Sequence, residues 1–257
     1  VLPSGGDCPG LTAVIRAVTA AACGRGWEVL GLRKGHLGLL ETPPEVMPLT
    51  AESVRGDDVR GDLLRAGGTV LGTTTTSDPF AYPDGRGGVT DRSRDVLAAI
   101  QALGIEALVV IGGDGSMRLF DRLLAPAKIP WVGVPKTIDN DVPGTEFAVG
   151  FFSAVDVVGG ALDRLATTAA SHRRIMVLEV MGRDSGFLAL YGGIAGGADV
   201  ILMPEVPYDL DRLAEHVRRI THDRPSPVLV VVAEGTAPPA EERRKKAHVG
   251  LGIARGL

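Results

Sequence analysis

The segment Ile111-Gly-Gly-Asp-Gly-Ser116 constrains this chain most. It closes an apolar run, Ala107-Leu-Val-Val-Ile111, which reads as a buried strand. A second run, Ile129-Pro-Trp-Val-Gly-Val134, is closed by Pro135-Lys-Thr-Ile-Asp-Asn-Asp141. Two strand ends therefore deliver a glycine turn and the carboxylates Asp114, Asp139 and Asp141 to one sheet edge. Ligands of open α/β sheets bind outside the carboxyl ends of the strands. Glycines let a phosphate approach backbone N–H groups, and carboxylates supply hard oxygens for magnesium or orient an attacking hydroxyl. The pattern points to phosphoryl transfer.

Apolar runs alternate with stretches of 3.6-residue period along the rest of the chain, as in parallel sheets wrapped by helices. Leu11, Val14, Ile15 and Val18 space as one helix face, and Trp27 to Leu30 reads as a short strand. Ala66 to Gly72 leads into a polar loop from Thr73 to Asp91, after which Val96, Ile100 and Leu103 mark a helix. Strand 107–111, a helix near 116–125 and strand 129–134 follow. A long helix spans about 147–171. Then come strand 175–180, helix 186–196, strand 199–203, helix 209–222 opened by Asp209, and strand 228–233. The expected class is α/β, with two Rossmann-like three-layer α/β/α domains on mostly parallel sheets. They divide as 1–146 and 147–257, the first strand being incomplete and the second domain truncated at its C-terminus.

Composition narrows the partners. A net charge of −4 offers no basic stripe for nucleic acid, and aromatics at 4% leave few stacking platforms. Cys8 and Cys23 make no disulfide framework and read as reduced packing thiols. No apolar run approaches the roughly 20 residues of a membrane helix, and no secretory signal is visible. The expectation is a cytoplasmic protein without nucleic-acid or membrane partners. The charge run Glu241 to Lys246 reads as a solvated loop or helix face.

Three further segments carry chemistry. Ser4-Gly-Gly-Asp-Cys-Pro-Gly10 is a glycine turn opening a helix and aims N–H groups at an anion. Met181-Gly-Arg-Asp-Ser-Gly186 follows a strand and opens a helix, so Arg183 can meet a phosphate. Arg173 and Arg174 precede that same strand. Glu234 ends the last strand, where it can accept hydrogen bonds from sugar hydroxyls. Plainer readings stand beside these: a common tight βα turn at 4–10, an Asp-Gly turn with Ser116 as helix cap, an Asx-rich turn at 139–141, a surface arginine at 183. His36, His172 and His216 show no metal spacing and read as surface or packing residues.

In order along the chain, Gly5–Gly10, Gly31–Gly38, Gly112–Ser116, Pro135–Asp141, Met181–Arg183, Met203–Glu205 and Ala233–Gly235 resemble the 6-phosphofructokinase family, over nearly the whole chain. The Gly112–Ser116 turn also occurs in NAD kinases and lipid kinases. Pro135–Asp141 and Met181–Arg183 make the resemblance specific. It implies glycolytic transfer of a phosphoryl group from ATP, with Mg2+, to the 1-hydroxyl of fructose 6-phosphate. By position, Asp139 resembles the base and Asp114 the magnesium ligand, with Thr137 and Asp141 lining the same catalytic loop. Arg183, Met181, Gly182 and Glu234 resemble the sugar-phosphate contacts. Arg174 resembles the arginine that reaches a neighbouring subunit's substrate, implying a homotetramer or homodimer. Gly6 resembles the first phosphate turn. Gly112, Gly113, Gly115, Ser116 and Lys136 go with the donor.

Two departures stand out. Thr75 holds the place of an arginine that bridges donor and acceptor phosphates in the family, with Arg65 as the nearest candidate substitute. The family also continues past Leu257, so the chain is read as a piece lacking the C-terminal part. Glycine at 115 goes with ATP in the family, whereas Lys136 is typical of pyrophosphate users and of one ATP-using group. A pyrophosphate-dependent enzyme and a catalytically impaired sugar-phosphate or nucleotide-binding relative are the alternatives.

Overall fold

A computed structural model of the chain describes residues 1–54, 66–223, 227–236 and 253. Arg65, the charge run 241–246 and the final glycine-rich stretch, apart from Ile253, lie outside the described residues. The chain splits into two compact units, one of residues 1–137 and 142–150, the other of 138–141 and 151–257. A single cut between 146 and 147 does not reproduce these limits. Val149 bridges to Lys136, which keeps 142–150 with the first unit, and Ile138 packs against the core of the second.

The first unit contains β1 (Leu2–Pro3), α1 (Leu11–Cys23), β2 (Val29–Leu32), β3 (Val46–Leu49), β4 (Tyr82–Pro83), β5 (Val89–Thr90), α2 (Ser93–Ala102), β6 (Leu108–Gly112), α3 (Asp114–Leu124) and β7 (Trp131–Pro135). Its main sheet runs β1-β6-β7, parallel throughout, with Leu2 opposite Val110 and Ile111 opposite Val134. Both faces of β6 are covered. Leu108 and Val110 pack with Val96 and Ile100 of α2 and Phe120 and Leu124 of α3. Ile111 packs with Leu11 and Ile15 of α1 and with Leu71. Strand residues alternate faces, so burial on both sides produces the unbroken apolar run seen in the sequence.

The second unit contains α4 (Phe151–His172), β8 (Ile175–Val180), α5 (Phe187–Ala195), β9 (Val200–Leu202), α6 (Leu210–Asp223) and β10 (Val228–Ala233). Its sheet is also parallel, in the order β8-β10-β9. The last strand thus enters between two laid down earlier. Every residue of β10 is buried. Leu229, Val231 and Ala233 face Phe151, Leu162 and Leu188 of α4 and α5, while Val228, Val230 and Val232 face Leu213 and Val217 of α6. Each unit is therefore three-layered, as the expected α/β/α class requires.

Two antiparallel pairs escaped the sequence reading. β2 pairs with β3, and β4 with β5. The first strand begins at Val29 rather than Trp27, whose indole stays 65% exposed. The segment 66–72 forms no strand, yet Leu71 is fully buried against the same core. The helix expected from about 147 begins at Phe151, after Gly150 in the left-handed region.

Asp209 caps α6 as its position suggests, accepting the Arg212 N–H at 2.9 Å. Asp209→Ala should therefore cost about 1 kcal/mol, read as a lower urea midpoint at unchanged m-value.

Candidate functional site

In the first unit the segments flagged in sequence converge on one turn. β1 is extended by the Ser4 N–H donating to Ile111 O at 2.9 Å. Gly5 N–H donates to Thr74 O at 2.9 Å, and Thr73 Oγ1 donates to Gly5 O at 2.5 Å. The Ser116 hydroxyl, buried inside α3, donates to Ser4 Oγ at 2.9 Å. Ser116 is therefore a tie between two phosphate-turn candidates and not a helix cap. The strand end is packed so closely that a Cβ on Gly112 would lie 2.5 Å from that of Ser116 and 3.1 Å from Ser4 O. No side chain larger than hydrogen fits there.

Lys136 is 3% exposed, and its ammonium donates to the Gly6 carbonyl. It supports the turn from within. Cys8 is tied in the same way, its thiol donating to Val149 O at 3.3 Å. Burial pushes the Cys8 thiol up to about 11, against the pull of the Lys136 charge and with the push of Asp7. The thiol is accordingly protonated and serves as a donor, and Cys8 and Cys23 are both free.

The turn's outer face is open. Among the described residues nothing lies within 4 Å of a Cβ built at Gly6 or Gly115. α1 starts from Gly10 and α3 from Gly113 without a side-chain cap, so among the described residues no side chain occupies the first helical N–H groups. Asp114 opens α3, with its carboxylate 3.0 Å from Arg118 Nε. That arginine is 76% exposed, so the pair is readily exchanged for a cation. One half-buried carboxylate fits magnesium, which keeps several waters and takes other oxygens from substrate phosphates. Among the described residues no group of three or more His, Cys, Asp or Glu could hold a metal by itself. Thr137 completes this unit's set, its N–H donating to Val149 O at 3.1 Å, with its Cβ 3.9 Å from a Cβ built at Gly113.

In the second unit, Ser185 Oγ donates to the Asp139 carbonyl at 3.0 Å. Asp139 is half-buried, Asn140 takes a left-handed conformation, and Asp141 is exposed. Glu234 Oε1 accepts from Gly182 N–H at 3.1 Å and from Arg183 N–H at 2.8 Å. One oxygen of Glu234 is thus committed to holding the 182–183 turn. A Cβ on Gly235 would fall 2.0 Å from the Arg183 carbonyl, so only glycine lets the two segments meet. Arg183, in the left-handed region at φ 53°, and Met181, 60% exposed, are both accessible to solvent. Asp139, Gly182, Arg183 and Glu234 are brought together in this way.

Arg174 is not. It sits exposed at the amino end of β8, whereas Met181 follows the carboxyl end. A six-residue strand at about 3.3 Å per residue separates them by about 20 Å. Two residues that the sequence reading passed over belong to the scaffold. Ser185 ties the 138–141 loop, and Glu205 Oε1 accepts the Gly186 N–H at 2.7 Å where α5 begins. Met203-Pro-Glu205 is among the motifs of the resemblance, which was the available signal for Glu205.

Parallel sheets with glycine turns and acidic loops at the carboxyl ends of their strands define the class of α/β proteins that bind ligands at a sheet edge. A family model described as phosphofructokinase matches residues 1–254. ATP-dependent 6-phosphofructokinase 1 of Nostoc sp. (strain PCC 7120) is 50% identical over 91% of this chain and 64% of its own length. The protein of that name from Synechocystis sp. (strain PCC 6803) is 47% identical over 91% of this chain and 63% of its own. The solved structure of phosphofructokinase from Saccharomyces cerevisiae matches with a TM-score of 0.80 at 33% identity, over 99% of this chain and 35% of that one. The chain belongs to the phosphofructokinase family. It spans somewhat less than two thirds of the length of these curated relatives.

Proposed function

We propose that the protein is an ATP-dependent 6-phosphofructokinase of glycolysis, moving the γ-phosphoryl group of ATP to the 1-hydroxyl of fructose 6-phosphate. The observation that carries this reading is the space left open at Gly115 by the described residues, beside Asp114 on a helix start that none of them caps. A nucleoside polyphosphate has room there, and the curated relatives are named as ATP-dependent. In this reading the first unit binds the nucleotide and the second the sugar phosphate. Gly6, Gly112, Gly113, Gly115 and Ser116 shape the donor cradle. Asp114 would hold Mg2+, which neutralises phosphate charge when bound. Lys136 acts from inside the turn through the Gly6 carbonyl. Asp139 takes the proton of the attacking hydroxyl, with Thr137 and Asp141 in its loop. Met181, Gly182, Arg183 and Glu234 form the sugar-phosphate contacts.

Arg174 lies at the opposite sheet edge from these residues, which supports its service to a neighbouring copy in a homodimer or homotetramer. Among the described residues no helix is long and apolar enough to cross a membrane, and we place the protein in the cytoplasm. The catalytically impaired alternative draws on one observation. Thr75 is exposed and uncharged where a bridging arginine is expected.

Donor choice is tested by assaying ATP and pyrophosphate with fructose 6-phosphate. The native protein should turn over with ATP. Gly115→Asp should lower kcat/KM for ATP by about 100-fold, because a carboxylate beside the donor phosphates adds both bulk and like charge. Turnover of the native protein with pyrophosphate alone would replace this reading with the pyrophosphate-dependent one.

A further inference from the structure

His36 belongs to none of the groups assigned above, yet it is 1% exposed and hydrogen-bonded. Its Nε2 lies 2.9 Å from Ser77 Oγ. The ring stands edge-on to Phe120, centroids 6.4 Å apart, and Nδ1 is buried with no partner among the described residues. A buried N–H without an acceptor is the costlier state, so we assign the proton to Nε2, which donates to Ser77. Burial holds the His36 pKa below its usual value, although the charge of Asp78 works against this. A neutral ring with one polar atom used and one orphaned is a poor way to fill a core. A leucine or phenylalanine would fill it without an orphan.

The bond matters for where it leads. Ser77 closes a segment whose Thr73 hydroxyl donates to Gly5 O and whose Thr74 carbonyl accepts from Gly5 N–H. Gly5 adjoins Gly6, whose outer face the described residues leave open. On the other side, Gly35 approaches both the segment and β1. A Cβ there would lie 3.2 Å from Thr74 Cγ2 and 3.2 Å from Pro3 O. Lys34 N–H donates to Leu71 O at 2.9 Å. The turn Lys34–His36 thus holds the 71–77 segment at both ends, and that segment holds the peptide of Gly5. From this chain of bonds we infer that His36 is a positioning residue for the phosphoryl-donor site, fixing the 72–77 loop through Ser77 and so the Gly5–Gly6 backbone that cradles the phosphates.

The inference rests on the reading that the Ser4–Gly10 turn holds the donor. It is tested by measuring, on the intact protein, ATP affinity by calorimetry together with kcat, both KM values and Tm. Ser77→Ala should weaken ATP binding and raise its KM about tenfold, the size of one lost hydrogen bond, with KM for fructose 6-phosphate within about twofold. His36→Gln can still donate through its amide and should stay close to the native affinity. His36→Leu should match Ser77→Ala, and the double variant should be no worse than either alone. If His36→Leu fails to fold, Ser77→Ala and His36→Gln decide the matter between them. A Ser77→Ala protein with native ATP affinity overturns the inference. So does one in which Tm falls and both KM values rise together. Gly6→Val separates this failure from that of the underlying reading. ATP binding lost in Gly6→Val but intact in Ser77→Ala overturns only the role of His36. Binding intact in Gly6→Val overturns the donor site itself.

Discussion

Asp139→Ser should reduce turnover by about 10²–10⁴-fold while leaving the KM for fructose 6-phosphate nearly unchanged. The size follows from what a base contributes to phosphoryl transfer. The transition state is loose, so the carboxylate chiefly orients the attacking hydroxyl and takes its proton. Orientation requires a fixed loop, and the second unit supplies one. Ile138 is packed into the apolar core, Ser185 Oγ holds the Asp139 carbonyl at 3.0 Å, and Asn140 sits in a left-handed turn at φ 55°. Serine keeps this backbone and loses the charge. Sugar affinity is expected to survive because Arg183 and Gly182 are held independently, through Glu234 Oε1. Steady-state kinetics with both substrates varied checks the split. Near-native turnover would remove Asp139 from the role of base.

The sheets were legible because burial on both faces leaves no polar alternation to misread. β8 and β10 begin and end where the apolar runs do. The glycine turns were legible because they sit at the ends of those runs. Pairings that carry no local period were not. Pro48 disguised β3, although a proline is tolerated where the strand lies at a sheet edge. β4 and β5 are short and lie in a polar stretch, their turn closed by Asp84 Oδ1 accepting from Arg86 and Gly88 N–H. The ties within the candidate site were equally invisible. Ser185 to Asp139 spans 46 residues and His36 to Ser77 spans 41, and no spacing rule relates such positions. Lys136 shows the same limit from the other side. Its identity suggested a hand on the donor, and only the packed structure puts its ammonium on the Gly6 carbonyl.

Thr75→Arg should raise turnover by roughly 30- to 900-fold if the protein is an active phosphofructokinase, with ATP affinity within a few fold. A cation shared between donor and acceptor phosphates is worth about 2–4 kcal/mol in the transition state. A threonine hydroxyl supplies no charge to replace it. Thr75 is exposed, so a longer side chain meets no packed core. Its backbone is nevertheless held on both sides, by Thr73 and Thr74 on Gly5 and by Ser77 on His36. An arginine grafted there would start from a fixed base beside the proposed phosphate turn, which is the condition for a preorganised charge. Arg65, which lies outside the described residues, is the competing source of that charge. If Thr75→Arg brings no gain and Arg65→Ala abolishes turnover, Arg65 supplies the cation and the threonine costs nothing. If neither change yields detectable turnover with either donor, the phosphoryl-transfer reading fails. Calorimetric titration with fructose 6-phosphate then decides for or against the binding relative, since the proposed sugar-phosphate contacts, Arg183 and the turn held by Glu234, are held without residue 75.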